Sequence, residues 1–341
     1  LLMAFTSLLL AGSLLHLRSL FPAPGPNIPP DDEPTVAYYT NFVKVKGLPR
    51  GIGPLTRDQV ARRGLSFRIV TRGGVVEKLE AVDRQGRPTS RHSVMTHLAP
   101  AESGFVTSNA ILNIPGTVLT SGRIGRSRLM RPLLSDRGPC TWEYQRDAEG
   151  QLSREIARDV VGRIVWTFQL TSSDTGYYTD ERGFLLSRAG SGATYVKLSY
   201  DENGFEKEVH YLGRNGKPRP DAAGIFGRRF EYDRHGLITT VSFLGPRDRP
   251  ILHPAGYARI TRTWNDRGQI LEEAYLDLRG KPARGLAFRA ARLRWAYDEN
   301  GNPTSQESIG LDGKPTIGSI RMTYDSRGNL LRWEDVRPDS P

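Results

Sequence analysis

The chain has 341 residues, of which 38% are hydrophobic, with 36 glycines, 23 prolines and a formal net charge of +11 at pH 7. This composition argues against a mainly helical protein and favours a turn-rich β protein. The length leaves room for two domains, or for one domain with a repeat array. The charge leaves anionic partners open, although lysines and arginines are spread along the whole chain. A single cysteine, Cys140, excludes an internal disulfide and a thiolate metal cage, and we expect it to be buried.

The first 17 residues, LLMAFTSLLLAGSLLHL, carry no charge, and Arg18 follows them. A run of this length is at the lower limit for a membrane-spanning helix and also fits the apolar region of a secretory signal; a buried core helix is the third alternative. We predict a membrane anchor or signal segment over residues 1–20, through which the protein contacts the membrane. Because the chain begins on Leu1 rather than Met, we expect further residues upstream.

A proline-rich segment, FPAPGPNIPPDDEP, follows and has six prolines in fourteen residues. Such segments adopt extended, semi-rigid conformations. We predict a stalk over residues 21–34 that holds the rest of the chain away from the membrane.

The next stretch, TVAYYTNFVKVKGLP, places Val36, Tyr39 and Val43 on one face of a helix, with Gly47 after them. These positions predict a short helix. It opens a predicted N-terminal β region over residues 35–140.

A second short helix is predicted in LTRDQVARRG. Thr56 and Gln59 have the spacing of a capping box, and Gly64 favours a C-terminal stop. We expect the two short helices to cover one edge of β structure that begins near Ser66.

The rest of the chain repeats a short phrase, an aromatic residue followed by Asp-x-x-Gly. Five copies lie 32, 32, 33 and 27 residues apart, and a fixed period indicates a repeat architecture. The structural residues of the repeat are Tyr200, Asp201, Gly204, Tyr232, Asp233, Gly236, Trp264, Gly268, Tyr297, Asp298, Gly301, Tyr324, Asp325 and Gly328.

A proline lies eighteen residues after each of the first four aromatics. It ends a Gly-Lys-Pro in three copies, whereas the copy reading RDRP has Asp248 in the glycine position. Within a repeat the two turn glycines lie twelve residues apart, and the same twelve-residue spacing occurs upstream, from Gly74 to Gly86 and from Gly150 to Gly162. The four prolines are Pro218, Pro250, Pro282 and Pro315.

Each repeat has the pattern of a β-hairpin. Apolar Val196, Leu198 and Tyr200 alternate with Lys197 and Ser199, which is typical of a half-buried strand. Asp and Gly at the first and fourth positions favour a type I turn, and the later proline favours a strand margin. We therefore predict a mainly β fold: tandem antiparallel β-hairpin repeats over residues 141–337 that form an extended twisted sheet or β-solenoid, with an N-terminal hydrophobic helix and two short helices.

The DENG phrases resemble calcium loops, but a helix–loop–helix calcium site needs an acid eleven residues after its first Asp. That position is Ile309 for Asp298 and Leu212 for Asp201. We therefore predict that these phrases are turns.

The repeated Tyr-Asp-x-x-Gly phrase resembles the YD repeats of RHS-type bacterial proteins, whose strands spiral into a β-shell. The segment AYYTNFVKVKGLPRGIGPLTRDQVARRGLSFRI followed by such repeats is also similar to the extracytoplasmic region of some bacterial receptor-type serine/threonine kinases. This second resemblance covers most of residues 36–337. It implies a sensor module in the periplasm or at the cell surface, with the kinase domain upstream of Leu1.

The sequence contains one cluster of residues that could bind a ligand. His92 and His97 lack a third metal ligand, and no nucleophile or paired acid stands out, so we expect no catalytic residue, metal or cofactor. Four arginines in SGRIGRSRLMRP form a candidate anion-binding cluster for phosphate or carboxylate groups. Aromatics do not interleave with it, which argues against nucleic acid. The cluster is Arg123, Arg126, Arg128 and Arg131.

Together these features predict a non-catalytic, membrane-anchored, extracytoplasmic β-repeat module that senses or binds an anionic cell-envelope glycan or a protein ligand. Two alternatives stay open: a structural cell-envelope repeat protein, and a fragment of an RHS-like toxin shell. An enzyme with an unrecognised site is a further alternative.

Overall fold

A computed structural model describes residues 33–89, 139–186, 193–221, 223–285, 290–316 and 319–336. It contains eighteen strands and one short α-helix. In chain order these are β1 (Thr35–Val45), β2 (Leu48–Leu55), α1 (Arg57–Ala61), β3 (Ser66–Arg72), β4 (Val75–Val82), β5 (Thr141–Arg146), β6 (Leu152–Arg158), β7 (Ile164–Leu170), β8 (Thr175–Thr179), β9 (Tyr195–Tyr200), β10 (Glu206–Leu212), β11 (Gly227–Tyr232), β12 (Ile238–Leu244), β13 (Arg259–Trp264), β14 (Ile270–Leu276), β15 (Arg292–Tyr297), β16 (Pro303–Ile309), β17 (Ser319–Tyr324) and β18 (Leu330–Val336).

All eighteen strands belong to one antiparallel sheet. β1 lies between β2 and β3, and from β3 to β18 each strand pairs with the next one along the chain. The predicted mainly β fold is therefore confirmed, as is the pairing of successive hairpins edge to edge.

The repeat aromatic ends the first strand of each hairpin, at a one-residue irregularity in the register. In the hairpin of β11 and β12, Glu231 pairs with Thr240 whereas Tyr232 pairs with Ile238. Such a bulge increases the local twist of the strand pair. The recurring proline bridges back to the end of the second strand, as the sequence predicts. These bridges are Leu212–Pro218, Leu244–Pro250, Leu276–Pro282 and Ile309–Pro315.

One face of the sheet forms the core, and the other carries solvent-exposed ion pairs. The core contains large buried side chains such as Trp142, Trp166 and Tyr211. On the outer face, the Arg294 guanidinium lies 3.0 Å from the Glu272 carboxylate across two paired strands. This alternation of apolar and charged positions along each strand places the core on a single side.

The sheet curls until the turn after β4, at residues 83–86, meets the turn before β18, at residues 325–328. Neighbouring strands lie ~4.8 Å apart, so β4 and β18 would be roughly 65 Å apart in a flat sheet. Instead, the guanidinium of Arg84, just after β4, donates a hydrogen bond to the amide oxygen of Asn329, just before β18. The sheet thus bends around its apolar face, without closing into a continuous ladder among the described strands.

The first predicted short helix is wrong, because Val36, Tyr39 and Val43 lie in strand β1. The segment is rich in β-branched and aromatic residues, which favour strands, and Thr35–Tyr39 pairs with β3. The periodicity of such a short stretch fits either structure, and pairing with β3 decided it.

The second predicted helix is α1, a single short turn of five residues. Its capping box is present: the Thr56 hydroxyl accepts from Gln59 N–H at 3.2 Å, and Thr56 N–H donates to the Gln59 side chain at 2.8 Å. The predicted start of β structure near Ser66 is wrong: Ser66 begins β3, but β structure starts with β1 at Thr35, and β2 rather than a helix lies at that edge of the sheet. The hydrophobic helix predicted over residues 1–20 lies outside the described residues.

Candidate functional site

Two rows of turns lie at opposite ends of the hairpin strands. The YD row follows the repeat aromatics, and the proline row precedes the recurring prolines. The YD row consists of turns 201–204, 233–236, 265–268, 298–301 and 325–328, and the proline row of turns 213–216, 245–248, 277–280 and 310–313.

A YD turn is closed by its own first residue. In the turn at Asp201, one carboxylate oxygen accepts from Asn203 N–H at 2.9 Å and from Phe205 N–H at 2.8 Å. Gly204 has φ +79°, a conformation in which most side chains are strained. The prediction that the DENG phrases are turns is confirmed.

The third YD turn uses an amide in place of the acid. Asn265 accepts from Arg267 N–H at 3.0 Å and from Gln269 N–H at 2.9 Å, the same bonds that Asp makes elsewhere. The predicted set of repeat residues omits Asn265, although its position one residue after Trp264 signals the role. The sequence analysis likewise does not predict the turns at 221–224 and 253–256.

The repeat aromatics join one hairpin to the next. Tyr232 Oη donates to Glu206 O at 2.6 Å, and Trp264 Nε1 donates to Ile238 O at 2.8 Å. Tyr297 Oη donates likewise at 2.8 Å, to the backbone oxygen that begins β14. Each aromatic thus reaches the first residue of the preceding hairpin's second strand.

Burial keeps these phenols neutral, since it raises the pKa of Tyr232 and of Tyr297 well above the usual range. The nearby Glu206 charge raises the pKa of Tyr232 further. The last copy departs from the pattern. The Tyr324 hydroxyl lies 3.7 Å from Met322 Sδ, and burial raises its pKa to about 12.

The N-terminal hairpin, formed by β1 and β2, lies across the YD row. Lys46 N–H donates to Gly204 O at 2.7 Å. Further along, Asn41 Nδ2 donates to Gly268 O at 2.7 Å, a bond that joins positions 227 residues apart. One hairpin therefore contacts the turns of several different repeats.

Apolar contacts support these hydrogen bonds. Val43 of β1 packs with Phe205 and Leu237, which directly follow the glycines of the first two YD turns. The Arg50 guanidinium lies 5.4 Å from the Phe205 ring centroid, within the range of a cation–π contact.

The segment after α1 continues along the row. Asn302 Nδ2 donates to Arg62 O at 3.1 Å, and Gly64 N–H donates to Asn302 Oδ1 at 3.1 Å. The Arg63 guanidinium donates to Asn300 O, and burial together with the nearby Arg267 charge lowers its pKa to about 10. The N-terminal hairpin and this segment together seal the rim formed by the YD row.

The two rows differ in the space around their glycines. A Cβ at Gly328 would collide with the backbone carbonyl of Arg62, and one at Gly268 would lie 2.9 Å from Ile52 Cγ2. At Gly280 and Gly313, in the proline row, no heavy atom lies within 4 Å of the added carbon. The YD row is an interface within the chain, while these proline-row turns face open space.

The buried acids near this rim are paired with cations. Lys44 of the N-terminal hairpin lies 2.6 Å from Glu155. Deeper in the sheet, Arg262 lies 2.9 Å from Glu273, whose other oxygen accepts from Tyr275 Oη at 2.6 Å. Each of these buried carboxylates therefore has a compensating positive charge beside it.

The predicted anion-binding cluster Arg123, Arg126, Arg128 and Arg131 lies outside the described residues, as do His92 and His97. Cys140 is buried, as the sequence predicts, and burial raises its thiol pKa to about 11. Within the described ranges, no three His, Cys, Asp or Glu side chains form a group that could hold a metal ion. No described helix combines the length and apolarity that crossing a membrane requires.

No family model and no curated protein matches the chain. Similar solved structures include the Tc holotoxin pore of Photorhabdus luminescens, at 12% identity over 84% of this chain and 13% of that chain, with a TM-score of 0.29. A TcdB2-TccC3 crystal structure is 14% identical over 83% of this chain and 16% of that chain, at a TM-score of 0.28. A porin-like protein from Bacteroides uniformis is 8% identical over 89% of this chain and 94% of that chain, at 0.26. The chain thus spans less than a fifth of the toxin chains.

Proposed function

We propose that this chain is a non-catalytic structural wall, a curled β-repeat segment of the RHS-like shell kind, closed along one rim by its N-terminal hairpin and the segment after α1. The observation that carries the proposal is the docking of the N-terminal hairpin and the segment after α1 on consecutive YD turns. Contacts at Gly204, Gly268 and Asn302 connect one short segment to three repeats. A segment that connects several repeats opposes their separation and gives the sheet a defined curvature.

The inner face supports a structural role. It is filled by side chains of the chain itself, and the acids of Glu155 and Glu273 are each paired with a cation. Breaking a buried pair of this kind leaves an uncompensated charge, which favours a rigid body over a surface that rearranges around a ligand.

The membrane-anchored sensor is the rival function. Anchoring through residues 1–20, an extracytoplasmic location and the relation to receptor kinases stay predictions from the sequence. The candidate ligand site of the rival, the arginine cluster at 123–131, falls outside the described residues.

Calorimetric titration distinguishes the two functions. Peptidoglycan fragments and acidic glycan oligosaccharides are titrated into the full chain at low and high salt. If the chain is a structural wall, the titration should show no saturable heat of binding at either salt concentration. The sensor function would be supported instead by saturable binding that weakens with salt and disappears when the four arginines are changed to glutamine.

Partial proteolysis followed by native mass spectrometry provides a positive test of the wall. After cleavage, a fragment containing the N-terminal hairpin is expected to remain bound to fragments containing β9 to β18. The Asn41→Ala variant, which loses the bond to Gly268, should release this fragment more readily. Release of the fragment at the same rate from both forms would contradict the proposal.

A further inference from the structure

The two edges of the sheet are built differently. β2 contains Pro49 and Pro54, which cannot donate to a ladder, and two glycines between them. Prolines of this kind prevent an edge from pairing with further strands. β18, with the sequence LLRWEDV, has neither proline nor glycine. The described part of β18 therefore has the composition of an interior strand.

Trp333 of β18 occupies a position that is buried in the other repeats. It is three residues after the start of the second strand, and the equivalent residues Val209, Val241, Glu273 and Gln306 are 0%, 6%, 6% and 2% exposed, whereas Trp333 is 46% exposed. In those four repeats the first strand of the following hairpin pairs beside this position. Trp333 is therefore exposed because, among the described strands, none pairs beside β18 as the next hairpin does in the other repeats.

The pairing of β12 with β13, here called the joint, shows what covers the position equivalent to Trp333 in an internal repeat. It consists of a short ladder and the indole bond from Trp264 to Ile238 O, 2.8 Å long. Phe243 N–H donates across the joint to Ala258 O. Because N–H groups alternate sides along a strand, Val241 N–H points the same way as Phe243 N–H. Ile260 is paired directly opposite Val241, and its N–H therefore also points into the joint. The ladder pairs are Thr240–Thr261, Val241–Ile260 and Ser242–Arg259.

We propose that β18 binds a strand of the YD type by edge pairing. The corresponding acceptor residues are Arg332, Trp333 and Glu334, with Leu330 O available to the terminal aromatic. The partner strand then has an uncharged residue opposite Arg332, an apolar residue beside Trp333 and a basic residue opposite Glu334. Backbone hydrogen bonds provide affinity and the side chains provide specificity.

Among the strands of this chain, the sequence of β13 fits these requirements. Thr261, Ile260 and Arg259 would lie opposite Arg332, Trp333 and Glu334, so that opposite charges meet at the last pair. The strands β11 and β17 place an arginine at the first of these positions, where it would face Arg332. Like charges directly opposite destabilise a strand pair.

The test is binding of a fluorescein-labelled peptide, YARITRTWND, to the full chain, measured by fluorescence anisotropy. We expect saturable binding to the wild-type chain and binding at least about tenfold weaker to Trp333→Lys. Leu331→Lys is the matched control, because Leu331 and its equivalents Lys207 and Leu271 are exposed. It should bind as the wild type does.

A second form of the test needs no protein variant. The same peptide N-methylated at its isoleucine lacks the N–H that points into the joint and should lose binding. The inference is overturned if wild-type binding is absent, if Trp333→Lys binds equally well, or if the N-methylated peptide is unaffected. It is also overturned if ultracentrifugation shows a dimer that Trp333→Lys dissociates, because a second copy would then occupy this edge. β18 would be the same edge strand whether the chain is a structural wall or a sensor. The result of the peptide-binding test therefore does not depend on the proposed function.

Discussion

The two rows of turns use the same local chemistry but differ in what surrounds them. Gly328 in the YD row and Gly313 in the proline row have φ of +75° and +77°. A Cβ at Gly328 meets the Arg62 backbone, whereas a Cβ at Gly313 meets nothing within 4 Å. The turn conformation favours glycine in both rows, and in the YD row the close approach of neighbouring residues favours it as well.

The proline row accommodates a departure that supports this contrast. The turn at 245–248 has Asp248 in the glycine position, at φ +60°. A non-glycine residue in this conformation costs about 1–2 kcal/mol, and the row accommodates it with the Asp248 carboxylate 58% exposed and 3.3 Å from His210 Nδ1. A repeated motif can therefore differ in importance according to whether its turn is docked or free.

The largest expected effect compares Gly328→Ala with Gly313→Ala. Gly313→Ala should lower the free energy of unfolding by about 1 kcal/mol through φ alone. Gly328→Ala adds a backbone collision and should lower it by about 3 kcal/mol or more. Urea unfolding followed by tryptophan fluorescence measures both. Equal losses would show that the YD row is not an interface.

Asn41→Ala tests the hydrogen bonds between the N-terminal hairpin and the row. The buried Asn41 side chain donates to Gly268 O and accepts from Phe42 N–H at 2.8 Å, so its removal leaves two backbone groups unpaired. We expect a loss of about 2 kcal/mol. In the proline row, Asn215→Ala removes an exposed bond to Lys217 N–H and should cost about 0.5 kcal/mol. A comparable loss in both variants would remove the contrast between the rows.

The contrast can be sharpened within the YD row by comparing Tyr232→Phe with Tyr324→Phe. The first substitution removes the hydroxyl that donates to Glu206 O and should lower the free energy of unfolding by about 1 kcal/mol. The second removes only a long contact to sulfur and should change it by less than about 0.5 kcal/mol. Thermal unfolding of both variants provides the measurement, and a larger loss for Tyr324→Phe would contradict the account of hairpin linkage.

The smallest expected effect is a difference between the wild type and Tyr232→Phe in how the free energy of unfolding depends on pH in the alkaline range. The pKa of Tyr232 is raised above its ordinary value of 10.0 in the folded chain, so the unfolded state releases this proton first. The stabilisation is complete below pH 10 and is lost as the pH rises above it. Tyr232→Phe should therefore unfold with a shallower dependence on pH than the wild type between pH 10 and 11. Parallel curves would show that Tyr232 is not protected in the fold.

Much of the repeat region could be predicted because its determinants are local. The alternation before Tyr200, the bonds of Asp201 within its own turn and the bridging prolines all act over a few residues. The role of Asn265 had a local signal too, since Asn makes the same turn bonds as Asp.

The site could not be predicted, because its contacts join distant parts of the chain. Asn41 bonds to a residue 227 positions away, and nothing near Asn41 indicates that partner. β1 was mistaken for a helix for a related reason: its pairing with β3 decides the conformation, and the spacing of Val36, Tyr39 and Val43 does not. Curvature of the sheet is likewise a property of many strands together.

The central claim is that the sheet curls until the turn after β4 meets the turn before β18. The most direct measurement is the distance between spin labels at Gln85→Cys and Arg327→Cys, in a chain that also carries Cys140→Ala. The account predicts strong dipolar coupling at less than half of the roughly 65 Å expected for a flat sheet. A distance near that flat-sheet value would contradict it.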